Sequence, residues 1–323
     1  MNKKADVEIQ FNWIFVLIAG AVILAFFVSI VNNQKDISEQ KIAYTSLTNL
    51  ETIFIGAEST AGTMHDIEIP NIDIKFECDK YYIGETKKDT KDMVIFAPNI
   101  IKGKAMQALT LDFSLPFRLT NMVYLTHSNI RYIFVYDDGN KKLFDEVNST
   151  LPDNFARETV TSLPTNNKNN YKVKIVLFNR DKNEFTGFSN LGNDVKIIEV
   201  TDDNKINFYN SSTDNIANIS YYFETSSLIG AIFAEDFDTY NCVMNKALKK
   251  AGIVYQIYQK RVESFIEYYG SGSCYIQYDS AKVTLGSMAD SPSLTKVNNL
   301  IGNAQTLSEY NQNLIYQSCP TIY

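Results

Sequence analysis

From Trp13 to Val31 every position is apolar except Ser29, and no charge falls between Glu8 and Lys35. A helix rises ~1.5 Å per residue, so this stretch spans about 28 Å. That is close to the ~30 Å hydrocarbon core of a bilayer. Trp13, Leu17, Leu24 and Val31 mark the length of the predicted anchor. A cleaved secretory signal has an apolar region of only ~7–15 residues ending in a small-x-small site. Here the run is longer, and Ala25-Phe26-Phe27-Val28 stands where a cut would lie. A buried core helix is the other reading, disfavoured because all faces of the stretch are apolar and it lies at an extreme terminus.

Beyond the anchor the pattern changes three times. Residues 1–34 read as a cytoplasmic tip with the transmembrane anchor, and residues 35–62 as a helical stalk or a helix packed on the head. Ile42, Leu47, Leu50 and Phe54 recur there at mostly helical spacing, and Gly56 and Gly62 flank the predicted stop. Residues 63–129 are strand-rich. Asp66–Glu77 alternates apolar and polar positions with a phase shift at Pro70-Asn71, and Met93–Ala97 and Ala108–Leu115 read as further strands. Residues 84–92 are dominated by charge and read as a solvated loop.

Residues 130–323 alternate strand and helix patterns, which predicts a layered α/β arrangement. Strands are expected at Ile130–Tyr136, Tyr171–Phe178, Val195–Val200, Ile206–Tyr209 and Ile219–Phe223. Short helices are expected at Lys141–Asn148 and Asn154–Leu163, with an exposed loop over 164–170. The longest soluble helix, 237–269, carries one stripe from Phe237 through Tyr240, Met244, Ala251 and Tyr255 to Tyr269. Asp236 or Asp238 is its expected N-cap, and Gly270-Ser271-Gly272-Ser273 its stop. A last helix is expected near Leu294–Tyr316. The fold class is therefore α/β with α+β elements: an N-terminal transmembrane helix followed by an extracytoplasmic layered α/β domain.

Composition narrows the setting. Apolar residues make up 45% of the chain, which is globular, and the net charge is −7. No stretch clusters lysine and arginine with aromatics, so nucleic acid is not an expected partner. Lys3 and Lys4 precede the span and Lys35 and Lys41 follow it, a small asymmetry toward a cytoplasmic N-terminus. Four cysteines, Cys78, Cys242, Cys274 and Cys319, fit an oxidising compartment outside the cell. Sequons at Asn148, Asn210 and Asn218 point the same way.

The long helix narrows the disulfide pairing. Cys242 lies near its start and Cys274 just past its end, about 40 Å apart along a straight helix. A disulfide requires Cα atoms within ~7 Å. Cys242–Cys274 is therefore excluded unless the helix folds back at Gly252. Cys274 is left with Cys319 or Cys78. The favoured set is Cys274–Cys319, which pins the C-terminal tail, with Cys78–Cys242; free buried cysteines are the other outcome.

Three passages carry a resemblance: Gln10–Gly20, Ser114–Asn121 and Ser226–Phe233. Together they resemble single-pass envelope proteins of small-genome archaea, a likeness that implies a cellular setting and no activity. Lys3-Lys4-Ala5 followed by Asp6-Val7-Glu8 is similar to an archaeal pilin signal, although Ala5 stands where glycine is commonest and Glu8 is closer to the cut than a pilin glutamate.

Catalytic motifs are sparse. His65 and His127 lack metal-ligand spacing, and neither His-Glu-x-x-His nor Cys-x-x-Cys occurs, so no metal, cofactor or catalytic residue is assigned. Gly187–Gly192 misses a nucleophile elbow at Leu191 and a phosphate loop at Asn193-Asp194. Asp137 and Asp138 follow a buried strand, where open α/β sheets bind ligands, and form the one candidate ligand site; Asp-Asp-Gly-Asn is equally ordinary turn chemistry. Glu235, Asp236 and Asp238 read as helix-start charges. The expected role is structural or interaction-based within the envelope, as a pilus-like or secretion-assembly component. The expected partners are the lipid bilayer and other envelope proteins or further copies of the chain. The alternative is a tethered small-ligand-binding or enzymatic head.

Overall fold

A computed structural model describes residues 3–59, 62, 64–69, 72–165, 172–192 and 194–323. It begins with one uninterrupted helix, α1 (Lys3–Ser59). No break separates the apolar stretch from residues 35–59. From Ala43 the helix buries a stripe of Ala43, Leu47, Leu50, Phe54 and Ala57 against the head. The predicted stalk is thus free-standing only over its lower part, and its upper part belongs to the core. Ile42 faces outward, because the buried stripe follows the three-and-four spacing from Ala43.

Eight short strands follow: β1 (Met64–Glu68), β2 (Ile74–Phe76), β3 (Lys80–Ile83), β4 (Thr86–Asp89), β5 (Val94–Phe96), β6 (Ile100–Ile101), β7 (Ala105–Ser114) and β8 (Arg118–Thr126). They form two four-stranded sheets, ordered β1-β7-β8-β5 and β4-β3-β2-β6. The alternating stretch around Pro70-Asn71 is therefore two strands in different sheets; residues 70 and 71 themselves lie outside the described residues. Residues 84–92 are largely exposed, as expected, but they are a hairpin and not a loop. Four of the nine form β4, which pairs antiparallel with β3, while Lys88 and Lys91 hold Glu51 of α1 and Thr90 is buried.

The β7/β8 sheet is covered on both faces. Met106, Ala108, Val123 and Leu125 meet α1, and Leu109, Phe113, Met122 and Tyr124 face the opposite core. Double coverage explains why β8 is buried without interruption from Asn121 to Thr126 instead of alternating.

The larger sheet contains β9 (Ile130–Val135), β10 (Arg157–Val160), β11 (Lys172–Phe178), β12 (Asp194–Thr201), β13 (Lys205–Tyr209) and β14 (Asn218–Tyr221), with α2 (Lys142–Thr150) between β9 and β10. Its order is β10-β9-β11-β12-β13-β14. The first four are parallel and the last two antiparallel. The helix expected at Asn154–Leu163 is instead the edge strand β10. Backbone pairing along β9 and the Arg131–Glu158 ion pair at 2.7 Å outweigh its weak helical pattern.

Four helices complete the head: α3 (Thr225–Phe233), α4 (Phe237–Tyr269), α5 (Ser273–Ala289) and α6 (Val297–Tyr316). Asp236 caps α4, its carboxylate accepting from Thr239 N at 2.9 Å. The main core gathers residues of both larger sheets and of α2 to α6. In α3, a Cβ on Gly230 would stand 2.8 Å from the Phe96 ring, so this close crossing of helix and strand requires glycine.

Candidate functional site

Asp137 and Asp138 sit at the carboxyl end of β9. The chain passes from β9 to β10 on one side and then to β11 on the other, so this is a topological switch point. The local geometry is that of a turn. Asp137 Oδ1 accepts from Gly139 N at 3.1 Å, and Asp137 O accepts from Asn140 N at 3.1 Å. A cleft of about 490 Å³ opens at the same edge of the sheet, lined by Lys142, Glu146, Asp202, Tyr222 and Glu224 among others. Its polar groups are engaged by the fold. Tyr222 donates to Thr201 O at 2.9 Å, Asp202 accepts from Asn179 at 3.1 Å, and Glu224 accepts from Ser114 N at 2.9 Å and Ser226 Oγ at 2.7 Å. Among the described residues, one group of three His, Cys, Asp or Glu side chains converges to metal-binding distance: Cys78, Asp79 and Cys242. Both of its sulfurs are already joined in a disulfide.

The sequence did not disclose a buried polar cluster at the opposite end of the parallel strands. Lys172 and Lys174 lie two apart on β11 and so share a face. Lys172 Nζ donates to both Glu235 carboxylate oxygens at 2.6 and 2.8 Å, and Asn99 N donates to Glu235 Oε2 at 3.0 Å. Lys174 Nζ is fully enclosed and donates to Ile232 O at 3.2 Å and to Ala234 O. These are terminal carbonyls of α3, which have no partner within the helix and form the negative end of its dipole. Glu235 is thus half of a buried ion pair that clamps the sheet to the α3–α4 corner, a correction to its reading as a helix-start charge.

Titration follows from this packing. Burial pushes Lys174 down to about 8. Burial opposes ionisation of Glu235, but the Lys174 charge and the hydrogen bonds from Lys172 and Asn99 N outweigh it and hold the carboxyl below its usual range. Burial, aided by the charge of Lys172, keeps His127 below the usual imidazole value. Depressed folded-state values mean that the unfolded chain binds more protons on acidification. Stability carried by His127 should fall as pH drops below 6.5, and that carried by Glu235 should fall below 4.5. Chemical denaturation from pH 7.5 to 4 should show this decline, and E235Q should flatten its most acidic part. At pH 7 the same substitution breaks a buried pair and should cost about 3 kcal/mol. An unchanged denaturation midpoint in E235Q would show that the clamp contributes nothing.

The cysteines pair as Cys78–Cys242, with Cα atoms 6.0 Å apart, and Cys274–Cys319, at 5.9 Å. These are the pairs favoured from the sequence, and α4 runs through Gly252 without folding back. One turn after Cys242, Lys246 Nζ donates to Cys78 O at 2.6 Å and Thr90 Oγ1 at 2.7 Å and meets Asp79 at 2.9 Å. The disulfide and this lysine together fix the β2–β3 turn to α4.

The sequons differ in access. Asn148 accepts from Arg157 Nε at 2.7 Å and lies within α2, whereas Asn210 and Asn218 are exposed. Trp13, Leu17, Leu24 and Val31 are 63–70% exposed on a helix segment that is long and apolar enough to cross a membrane. Comparison with protein-family models, with curated proteins and with solved structures found no match.

Proposed function

We propose that this chain is a single-pass membrane protein whose α/β head lies outside the cytoplasm and serves as a structural or interaction module of the cell envelope. One observation carries the reading: α1 is a single helix, bare and apolar from Phe15 to Val31 and built into the head's core from Ala43 to Ala57. A head mounted on the same helix as its anchor is held at a set height above the bilayer, as an assembly subunit requires. Two disulfides within the head suit an oxidising compartment. The charged side chains that line its clefts are largely spent on backbone groups and ion pairs, which favours a structural head. The pilin-like start of the chain suggests a pilus-like or secretion-assembly form of this role.

The topology is tested at Ile216, which is 86% exposed in the β13–β14 connection. A membrane-impermeant maleimide should label the I216C variant in intact cells. Labelling that requires lysis would place the head inside and overturn the reading.

A further inference from the structure

A cleft of about 660 Å³ lies at the base of the head where α1 leaves it. Its floor is apolar, formed by Ala43, Ile72 and Ile83, and its rim carries Glu39 and Glu85. Glu39 is exposed and pairs along the helix with the exposed Lys35 at 3.8 Å. A different face of α1 carries the converse surface. Ile37, Tyr44 and Ile55 are spaced by seven and eleven residues and therefore share one face. They are 66, 66 and 56% exposed, and Lys41 stands exposed between the first two.

We propose that the Ile37–Tyr44 stripe of a second copy of this chain seats in the cleft, with its Lys41 reaching the Glu39 and Glu85 carboxylates. The inference rests on the membrane-anchored reading above and names the partner. In a shared bilayer the spans fix the height of both copies, so residues 37–44 of one helix lie level with residues 39–43 of the next. A soluble partner has no such constraint. The cleft is apolar with an acidic rim, and the stripe is apolar with one lysine, so shape and charge agree. Approach from below is open. Ala21, Ala25 and Ser29 continue the head-packing face down the span in steps of three and four, through Asn32 and Glu39 to Ala43. Small side chains there let a second helix come close. Donor and acceptor surfaces are different faces of one helix, so the contact is heterologous and each copy can accept another. A two-fold pair would put Ile37 on Ile37 and leave the cleft empty.

The test uses the full chain in its membrane, with disulfide formation promoted by a copper–phenanthroline oxidant. K41C and E85C expressed together should give a cross-linked dimer, and each alone should remain monomeric. K41C/E85C in one chain should give a ladder of multimers. The charge reversal K41E should abolish oligomers detected by an amine-free, acid-directed cross-linker, and K41E with E39K and E85K should restore them. Cross-linking of K41C to itself, or monomers throughout, would overturn the proposal. Alkaline carbonate extraction of each variant separates the two readings. A chain that stays in the membrane as a monomer refutes only the second-copy contact, whereas a chain that is extracted refutes the anchor and the contact with it.

Discussion

Replacing Leu17 and Leu24 with arginine should keep the chain out of the bilayer. The two positions lie seven residues apart on one face of α1, Leu24 near the middle of the apolar stretch and Leu17 about one turn inside its N-terminal end. Arginine at the centre of a span costs ~2.5–3.5 kcal/mol on the insertion scale, so the pair costs at most about 5–7 kcal/mol. Neither side chain touches the head, and both are about two-thirds exposed. The buried stripe that joins α1 to the head begins only at Ala43. The head should therefore fold and form both disulfides while the protein shifts to the soluble fraction. Flotation and alkaline extraction measure this. A double variant that still floats with membranes would show that some other part of the chain holds it there. A mature chain beginning after residue 31 would show instead that the stretch is removed.

The elements legible in the sequence were those with long periodicity. The α4 stripe repeats over 33 residues, and its limits Phe237 and Tyr269 follow from an aspartate cap and a Gly-Ser stop. Helix α5 left no comparable trace. It buries only Tyr278, Ala281, Leu285 and Met288, and the glycines that end α4 stand immediately before it. The sequence around strand β10 patterns as helix because four residues carry too little alternation to compete with flanking apolar spacing. Its strand character comes from β9, a tertiary neighbour that local pattern does not contain.

The polar clamp was hidden for the same reason. Lys172 and Glu235 are 63 residues apart, and nothing local couples them. One signal was present: Lys174 stands between Val173 and Ile175, inside a parallel strand that is apolar from there to Phe178. Lysine is rarely fully buried without a partner, so a lysine there implied a buried acceptor elsewhere. Asp137 and Asp138 were conspicuous in the sequence, yet the structure places Asp137 in ordinary turn bonding. The base of the head could not be foreseen, because it required knowing that β3 and β4 fold against α1.

Removing the Cys78–Cys242 disulfide should destabilise the head more than removing Cys274–Cys319. The first closes 164 residues and the second 45. Loop-closure entropy gives about 5 kcal/mol for the longer and about 4 kcal/mol for the shorter, against a usual range of ~2–5 kcal/mol for native disulfides. The structural consequences also differ. Cys274–Cys319 ties the start of α5 to the tail, where Tyr278 Oη donates to Pro320 O at 2.7 Å and Ile322 is fully buried, so the tail keeps other holds. Cys78–Cys242 joins the β4-β3-β2-β6 sheet to α4 at a turn whose remaining tie is Lys246. That sheet is small, and its other main contact is the upper part of α1. Losing the disulfide should therefore loosen the sheet and α1 together before the main core unfolds. Denaturation of the full chain in detergent should rank C78A/C242A below C274A/C319A, and hydrogen exchange in C78A/C242A should rise first over 72–92 and 43–57. Equal losses for the two variants, or protection retained across 43–57, would show that the α1 stripe holds the sheet without the disulfide. The helix that carries the anchor would then be secured by its own packing and by the Glu51 ion pairs with Lys88 and Lys91.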